Sequence, residues 1–142
     1  MSNYPIPFDE TRRQRVLDET GVLDEDAWAE LDELTQSAAK HWNVPISVVS
    51  LVDRDRQFFK SCVGLDASET GRDVAFCAYT IMGEHAFVTL DAREDKRFKD
   101  NPLVTGAPHI RFYAGAPIVV ENVVFGSFCV IDSEPRAHFS TE

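Results

Sequence analysis

Two pairs of strand-like runs, each closed by a short turn, constrain this chain more than any other feature. ISVVSLV at Ile46–Val52 is a β-branched run, DRDR turns it, and QFFKSCV follows as a second strand closed by Gly64. HIRFYAGAPIVV, beginning at His109, and VVFGSFCVID repeat the arrangement, with Glu121 and Asn122 in the turn. Turns this short join antiparallel neighbours, because parallel strands need a long crossover. HAFVTL reads as a further strand.

Helical signals lie before and between the hairpins. DETRRQRVLDETGV carries Asp9 as a cap and Gly21 as a stop. DEDAWAELDELTQSAAKHW has Asp24 as cap, acids in its first turn, and Trp28, Leu31, Leu34, Ala38 and Trp42 on one stripe, before Asn43 and Pro45 end it. VAFCAYTIM is too short to classify by period, but Asp73 before it and Gly83 after it read as helix start and stop. Short strand connections with helices grouped between them imply an α+β domain on an antiparallel sheet. One domain is expected over residues 1–142, with residues 1–8 irregular around Pro5 and Pro7. Ser140 or Thr141 followed by acid is a helix-start signal, so a further helix is expected to begin there and run past Glu142.

Composition excludes several function classes. A chain of 142 residues with 44% hydrophobic content needs no staples to fold, since a domain of that size removes roughly 68–70% of its surface from water. No run approaches the roughly 18 apolar residues of a membrane span, and MSNYPIPFDETRR lacks the apolar core of a signal peptide, so a cytoplasmic address without membrane insertion is expected. The net charge of −10 repels a phosphate backbone, which argues against nucleic acid. Cys62, Cys77 and Cys129 are widely spaced in apolar contexts and read as reduced core thiols. With His41, His85, His109 and His138 equally scattered, zinc is not expected. There is no G-x-S-x-G, P-loop, G-x-G-x-x-G or H-E-x-x-H, and no legible nucleophile or acid–base pair, so no enzyme activity is expected.

The stretch DAREDKRFKDNPLVTGAPHIRFYAGAPI, Asp91 to Ile118, opens with a long non-periodic segment. Structureless loops beyond about 12–15 residues are usually functional or disordered, and this one is too aromatic for disorder. EDKRFK is long enough for one helical turn before Pro102. In the strand that follows, Arg111, Tyr113 and Gly115 share one face while Phe112, Ala114 and Ala116 share the other. A glycine in a strand often marks close approach by a ligand, so Gly115 would leave floor space beside the Tyr113 hydroxyl. Arg111 either clamps the loop by pairing with Asp91 or Asp95 or contacts a ligand directly. Phe76, Ile81, Phe98 and Phe112 are expected in the core. TGRD precedes a helix, and either its free amides receive an anion with Arg72 assisting or Asp73 is an ordinary cap. Cys77 is either a reactive thiol or a buried inert one.

Five fragments in order, PISVVSLVDRDRQFFKSCVGL, GRDVAFCAYTI, LDAREDKRFKDNPLV, HIRFYAGAPI and VFGSFCVIDSEPR, resemble the GAF domain, of the type found at the N-terminus of bacterial sensor histidine kinases and cyclic-di-GMP enzymes. The resemblance covers nearly the whole chain. It implies a five- or six-stranded antiparallel sheet with terminal helices on one face, used for dimerisation, and a short helix plus long loops on the other. A small-molecule pocket is implied between them, with Asp91 to Pro108 as lid and RFYAGAP as floor. Candidate ligand-binding residues are then Tyr113, Arg111, Phe76, Cys77, Thr80, Asp91, Phe98 and Gly115.

The function implied is a sensory module, homodimeric, that signals to an output domain such as a two-component histidine kinase or a cyclic-di-GMP enzyme. The ligand stays unidentified. Bilin-binding relatives attach chromophore through a cysteine followed by histidine, whereas Cys62, Cys77 and Cys129 precede valine, alanine and valine, so covalent bilin is not expected. The Asn-Lys-Phe-Asp-Glu pattern of cyclic-nucleotide-binding relatives is missing, and haem through His85 or His109 is disfavoured. Two alternatives stand beside the sensor. One is a dimerisation spacer whose pocket is filled by Phe98, Phe112, Phe125 and Phe128. The other is an enzyme like the relatives that reduce free methionine sulfoxide with three cysteines, although only Cys77 sits in a similar place.

Overall fold

The computed structural model describes residues 4–21, 29–65, 67–83, 85–137 and 139. The expected cap Asp24, the stripe residue Trp28 and the helix start at Ser140 or Thr141 lie outside the described residues.

Helices α1 (Glu10–Thr20) and α2 (Ala29–Trp42) precede strands β1 (Ile46–Val52), β2 (Arg56–Val63) and β3 (Glu69–Gly71). The one-turn helix α3 (Cys77–Thr80), strand β4 (Phe87–Thr89), the one-turn helix α4 (Pro102–Thr105) and strands β5 (Phe112–Val120) and β6 (Val123–Asp132) follow. The strands form one antiparallel sheet in the order β3-β2-β1-β6-β5-β4. This is the expected α+β architecture. β1 lies between β2 and β6 and is buried along its whole length, which is why ISVVSLV is apolar on nearly every residue instead of alternating. Glu121 and Asn122 both adopt positive φ (51° and 66°), the conformation of a two-residue hairpin turn.

The strand period sorts β5 between two layers. Phe112 and Ala114 pack with Ala38, Val44 and Val130 beneath α2. Tyr113 faces the opposite side, where Ile46, Val48, Cys129 and Ile131 meet Phe76, Cys77 and Ile81 and Ala92, Phe98, Val104 and Ile110 of the long segment 90–111 that joins β4 to β5 across the sheet, here called the crossover. α1 sets Val16 and Leu17 against Leu51, Val123 and Phe125.

A bulge in β2 decides which side chains reach that opposite face. Val49 pairs with Ser61 but Ser50 pairs with Phe59, so Lys60 is the extra residue. Without it, a one-residue shift in register would turn Phe59 and Gln57 toward the α2 face. With it, Ser61 meets Thr35 and Asp32 of α2 (3.0 and 2.6 Å) while Gln57 and Phe59 face the crossover.

Several local expectations are corrected. Asp73 does not cap a helix: Arg72–Val74 form a 3₁₀ turn, and α3 begins only at Cys77. The reason is tertiary, because Arg72 is buried against the Glu10 carboxylate (2.6 Å) and also donates to the Asp53 carbonyl (3.1 Å). Those contacts also occupy the guanidinium expected to assist an anion site. β3 is a short edge strand hidden in the polar sequence ETG, and it pairs with Arg56–Phe58. β5 starts at Phe112 instead of His109, which stands at φ 59°. Asp91 and Asn101 act as caps inside the crossover, accepting hydrogen bonds from the Arg93 and Leu103 amides.

Candidate ligand-binding cavity

Between the sheet and the crossover lies a cavity of about 340 Å³, at the small end of the range for ligand sites. Ile46, Val48, Phe59 and Ile131 form its apolar floor, and Leu65, Leu103, Pro108 and Ile110 close over it. Ser50, Gln57, Thr70, Cys77 and Tyr113 supply polar groups along one side. Among the described residues, no carboxylate, amine, guanidinium or imidazole lines the space.

The polar groups form a connected series. Gln57 Nε2 donates to Thr70 Oγ1 (2.6 Å), and Ser50 Oγ donates to Gln57 Oε1 (2.9 Å). Deeper in, the Tyr113 hydroxyl lies 2.8 Å from Thr80 Oγ1 and 3.0 Å from Ser127 Oγ, and Cys77 Sγ lies 3.3 Å from both Tyr113 and Ser127 hydroxyls. Cys129 and Ser50 line the same cavity as Cys77. The Cys129 thiol draws the Cys77 thiol down to about 6, with help from Ser127, Tyr113 and Ser50 and against the opposing effect of burial. Cys129 is correspondingly held well above its ordinary value by Cys77 and by burial. Burial and the neighbouring Cys77 likewise push Tyr113 up, so its hydroxyl stays protonated and available as a donor.

The sequence candidates divide. Tyr113, Phe76 and Cys77 line the cavity, and Thr80 stands behind Tyr113 as its hydrogen-bond partner. Phe98 fills the other half of the space under the crossover, stacked on Phe76 with ring centroids 4.0 Å apart. The floor space expected at Gly115 is already taken: a Cβ there would collide with the Tyr113 hydroxyl. The clamp between Arg111 and Asp91 or Asp95 does not form. Those carboxylates pair with Arg93 (2.8 Å) and Arg97 (2.6 Å), which hold both below the usual range. Arg111 instead donates to the Val104 carbonyl (2.8 Å) and the Ile110 carbonyl (3.1 Å), tying α4 to the start of β5. Of the phenylalanines expected to plug the pocket, Phe112, Phe125 and Phe128 pack with the α1 and α2 clusters.

Ser50, Gln57, Thr70 and Cys129 are not among the ligand-binding candidates read from the sequence, although they line the cavity. Ser50 and Ser127 did carry a signal, as lone hydroxyls inside otherwise apolar strands. Gln57 and Thr70 carried none, because their placement depends on the Lys60 bulge and the short β3 pairing.

A sequence model of the GAF domain matches residues 26–142. The chain belongs to the GAF domain family. This GAF domain is 45% identical over 137 residues to a protein named cyclic di-GMP phosphodiesterase PA2567 from Pseudomonas aeruginosa, covering 96% of the chain but only 23% of that protein. Its fold matches the GAF domain of a phosphoenolpyruvate-protein phosphotransferase from Coxiella burnetii (TM-score 0.64, 13% identity, 92% and 81% of the two chains). It also matches a type II free methionine-R-sulfoxide reductase from Thermoplasma acidophilum (TM-score 0.63, 10% identity, 78% and 77%). Among the described residues of this GAF domain, no helix is long and apolar enough to cross a membrane and no group of three or more His, Cys, Asp or Glu is placed to hold a metal ion.

Proposed function

We propose that this GAF domain is a cytoplasmic sensory module that binds an uncharged, largely apolar small molecule in the cavity beneath the crossover. The observation that carries this reading is the lining itself: apolar side chains around a short series of hydroxyl, amide and thiol groups, without a carboxylate, amine, guanidinium or imidazole among the residues described. Moving an ion into such a space leaves its charge unpaired, which is far more costly than burying a hydrogen-bonded neutral group. The same argument weighs against free methionine sulfoxide, whose ammonium and carboxylate would find no counter-charge.

Ligand occupancy would reach an output domain through the terminal helices of a homodimer. A kinase or a cyclic-di-GMP enzyme is the output class this reading favours, supported by the 45% identical relative. The aromatic stack of Phe76 and Phe98 favours a competing role as a spacer, because it closes part of the space. A thermal-shift screen with neutral and charged metabolites in separate sets distinguishes the two. A neutral ligand at 100 times its dissociation constant adds about 2.7 kcal/mol and raises Tm visibly. Stabilisation by charged compounds alone would contradict the neutral-ligand reading; stabilisation by none would leave the spacer.

A further inference from the structure

Cys77 and Cys129 come from different elements, α3 and β6, and both line the cavity a solute would enter; the Cys77 sulfur reaches Ser127 Oγ (3.3 Å), two residues from Cys129 on the same face of β6. Neither is in a disulfide. Around Cys77 stand the hydroxyls of Tyr113 and Ser127, each 3.3 Å from its sulfur. Cys62 is differently placed. Val48 pairs with Cys62 on one side and Cys129 on the other, so those two lie two strand spacings apart, roughly 9–10 Å. That exceeds the Cα separation of about 7 Å beyond which a disulfide cannot close without backbone movement.

We propose that Cys77 and Cys129 form an oxidisable dithiol that an uncharged organic hydroperoxide, entering through the apolar cavity, converts to a disulfide. The Cys77 sulfur attacks the distal peroxide oxygen, a sulfur–oxygen bond forms, and the oxygen–oxygen bond breaks. The thiol proton passes to the departing alkoxide, with the Tyr113 hydroxyl beside the sulfur as relay, leaving a sulfenic acid and an alcohol. The Cys129 sulfur then displaces the hydroxyl from Cys77, the disulfide forms, and water leaves with the Cys129 proton. Two electrons pass from the thiols to the peroxide, and the hydroperoxide is the only oxidant required. Burial, which makes most core thiols inert, here selects the oxidant. Charged reagents are excluded while an apolar hydroperoxide is admitted to a wall holding a nucleophile, hydroxyl donors and a second thiol.

The proposal shares the cavity with the sensing reading but not its ligand, so the two fail separately: one is read by mass, the other by thermal shift. The reduced chain is treated with cumene hydroperoxide or hydrogen peroxide, denatured, alkylated and weighed. The expected product has lost two hydrogens and accepts alkyl groups only at Cys62. It forms about tenfold faster with the organic peroxide, as burial of an aromatic group implies. Cys77→Ser abolishes the product. Cys129→Ser stops the reaction at a sulfenic acid on Cys77, captured by dimedone, and this variant keeps the test valid if Cys77→Ser folds poorly. Three alkylatable cysteines after organic peroxide treatment, a disulfide involving Cys62, or no dimedone adduct in Cys129→Ser would each overturn the dithiol assignment. Equal rates with the two peroxides would overturn the oxidant class.

Discussion

The Phe98 ring lies flat on the Phe76 ring, with centroids 4.0 Å apart and planes within 7°. Phe98 comes from the crossover and Phe76 from the segment leading into α3, so one stacked pair joins the two coverings of the sheet. Tyr79 and Phe87 meet Phe98 edge-on, and the Arg97 guanidinium sits over Phe87 (4.6 Å). This cluster closes one half of the space under the crossover and leaves the other half as the cavity.

Phe98 is fully buried, and Phe98→Ala is therefore expected to cost about 3–5 kcal/mol, the range for deleting a core phenyl ring. Urea unfolding measures it. A loss below about 1 kcal/mol, the size of an exposed-site change, would show that the crossover is not anchored by this stack.

Gly115 and Tyr113 are expected to be strongly coupled. Gly115→Ala places a methyl group where the Tyr113 hydroxyl sits, which forces the ring to move and costs about 1–3 kcal/mol. Tyr113→Phe strips Thr80, Ser127 and Cys77 of a shared partner and costs about 1–3 kcal/mol alone. In the double variant the closest obstruction, the hydroxyl, is gone and only the ring carbon Cζ and Ser127 Oγ still crowd the methyl, so the two losses should sum to less than their separate values. Additivity in a double-mutant cycle would contradict the contact.

Glu10 joins α1 to the rest of the domain. Its carboxylate receives Arg72 (2.6 Å) and Arg13 (2.9 Å), two guanidinium groups that are themselves 1% exposed. Burial alone would raise its pKa, but hydrogen bonds from Arg72, Arg13 and Gln14 override that and bring it down to about 2 from 4.5. A depressed carboxyl stabilises the fold above its unfolded value and loses that contribution as pH falls through its folded one. The stability of the domain should therefore decline between about pH 4.5 and 2, while Glu10→Gln should be flat over that window as far as this group is concerned. At neutral pH, Glu10→Gln leaves two buried cations without a counter-charge and should cost about 3 kcal/mol. Denaturant unfolding across pH checks both.

The Cys77 thiol should ionise early. It faces the Cys129 thiol, the protonated Tyr113 and the hydroxyls of Ser127 and Ser50, which together bring it to about 6 from 9.0. Its reaction with a small neutral alkylating agent should rise with pH through a midpoint near 6 in Cys62→Ser protein. A midpoint at or above the ordinary thiol value would show that burial outweighs the donors.

Much of the sheet was legible because both hairpins carry their own local signals: Gly64 at the end of β2, and the Glu121–Asn122 turn between strands of matched composition. The period of two also placed Tyr113 and Phe112 on opposite faces. What local pattern could not supply was any contact that depends on distant chain. The Arg72–Glu10 pair spans 62 positions and replaces the expected Asp73 cap with a 3₁₀ turn. The β2 bulge at Lys60 chooses the faces of Gln57 and Phe59, and no residue type marks a bulge by itself. Arg111 shows the limit of charge matching, since Arg93 and Arg97 take the two carboxylates from two positions away in sequence. Of the segment between β4 and β5, Leu103, Ala107, Pro108 and Ile110 line the cavity, not the charged stretch before them, because Arg93 and Arg97 bind that stretch to its own carboxylates.

The most direct measurement is a calorimetric titration of a neutral stabilising compound into the unmodified domain and into Leu65→Trp, which sets a larger ring at the cavity wall. Saturable binding with a negative heat-capacity change in the first, lost in the second while its Tm is retained, is the predicted result. Equal affinity in both proteins would contradict binding beneath the crossover.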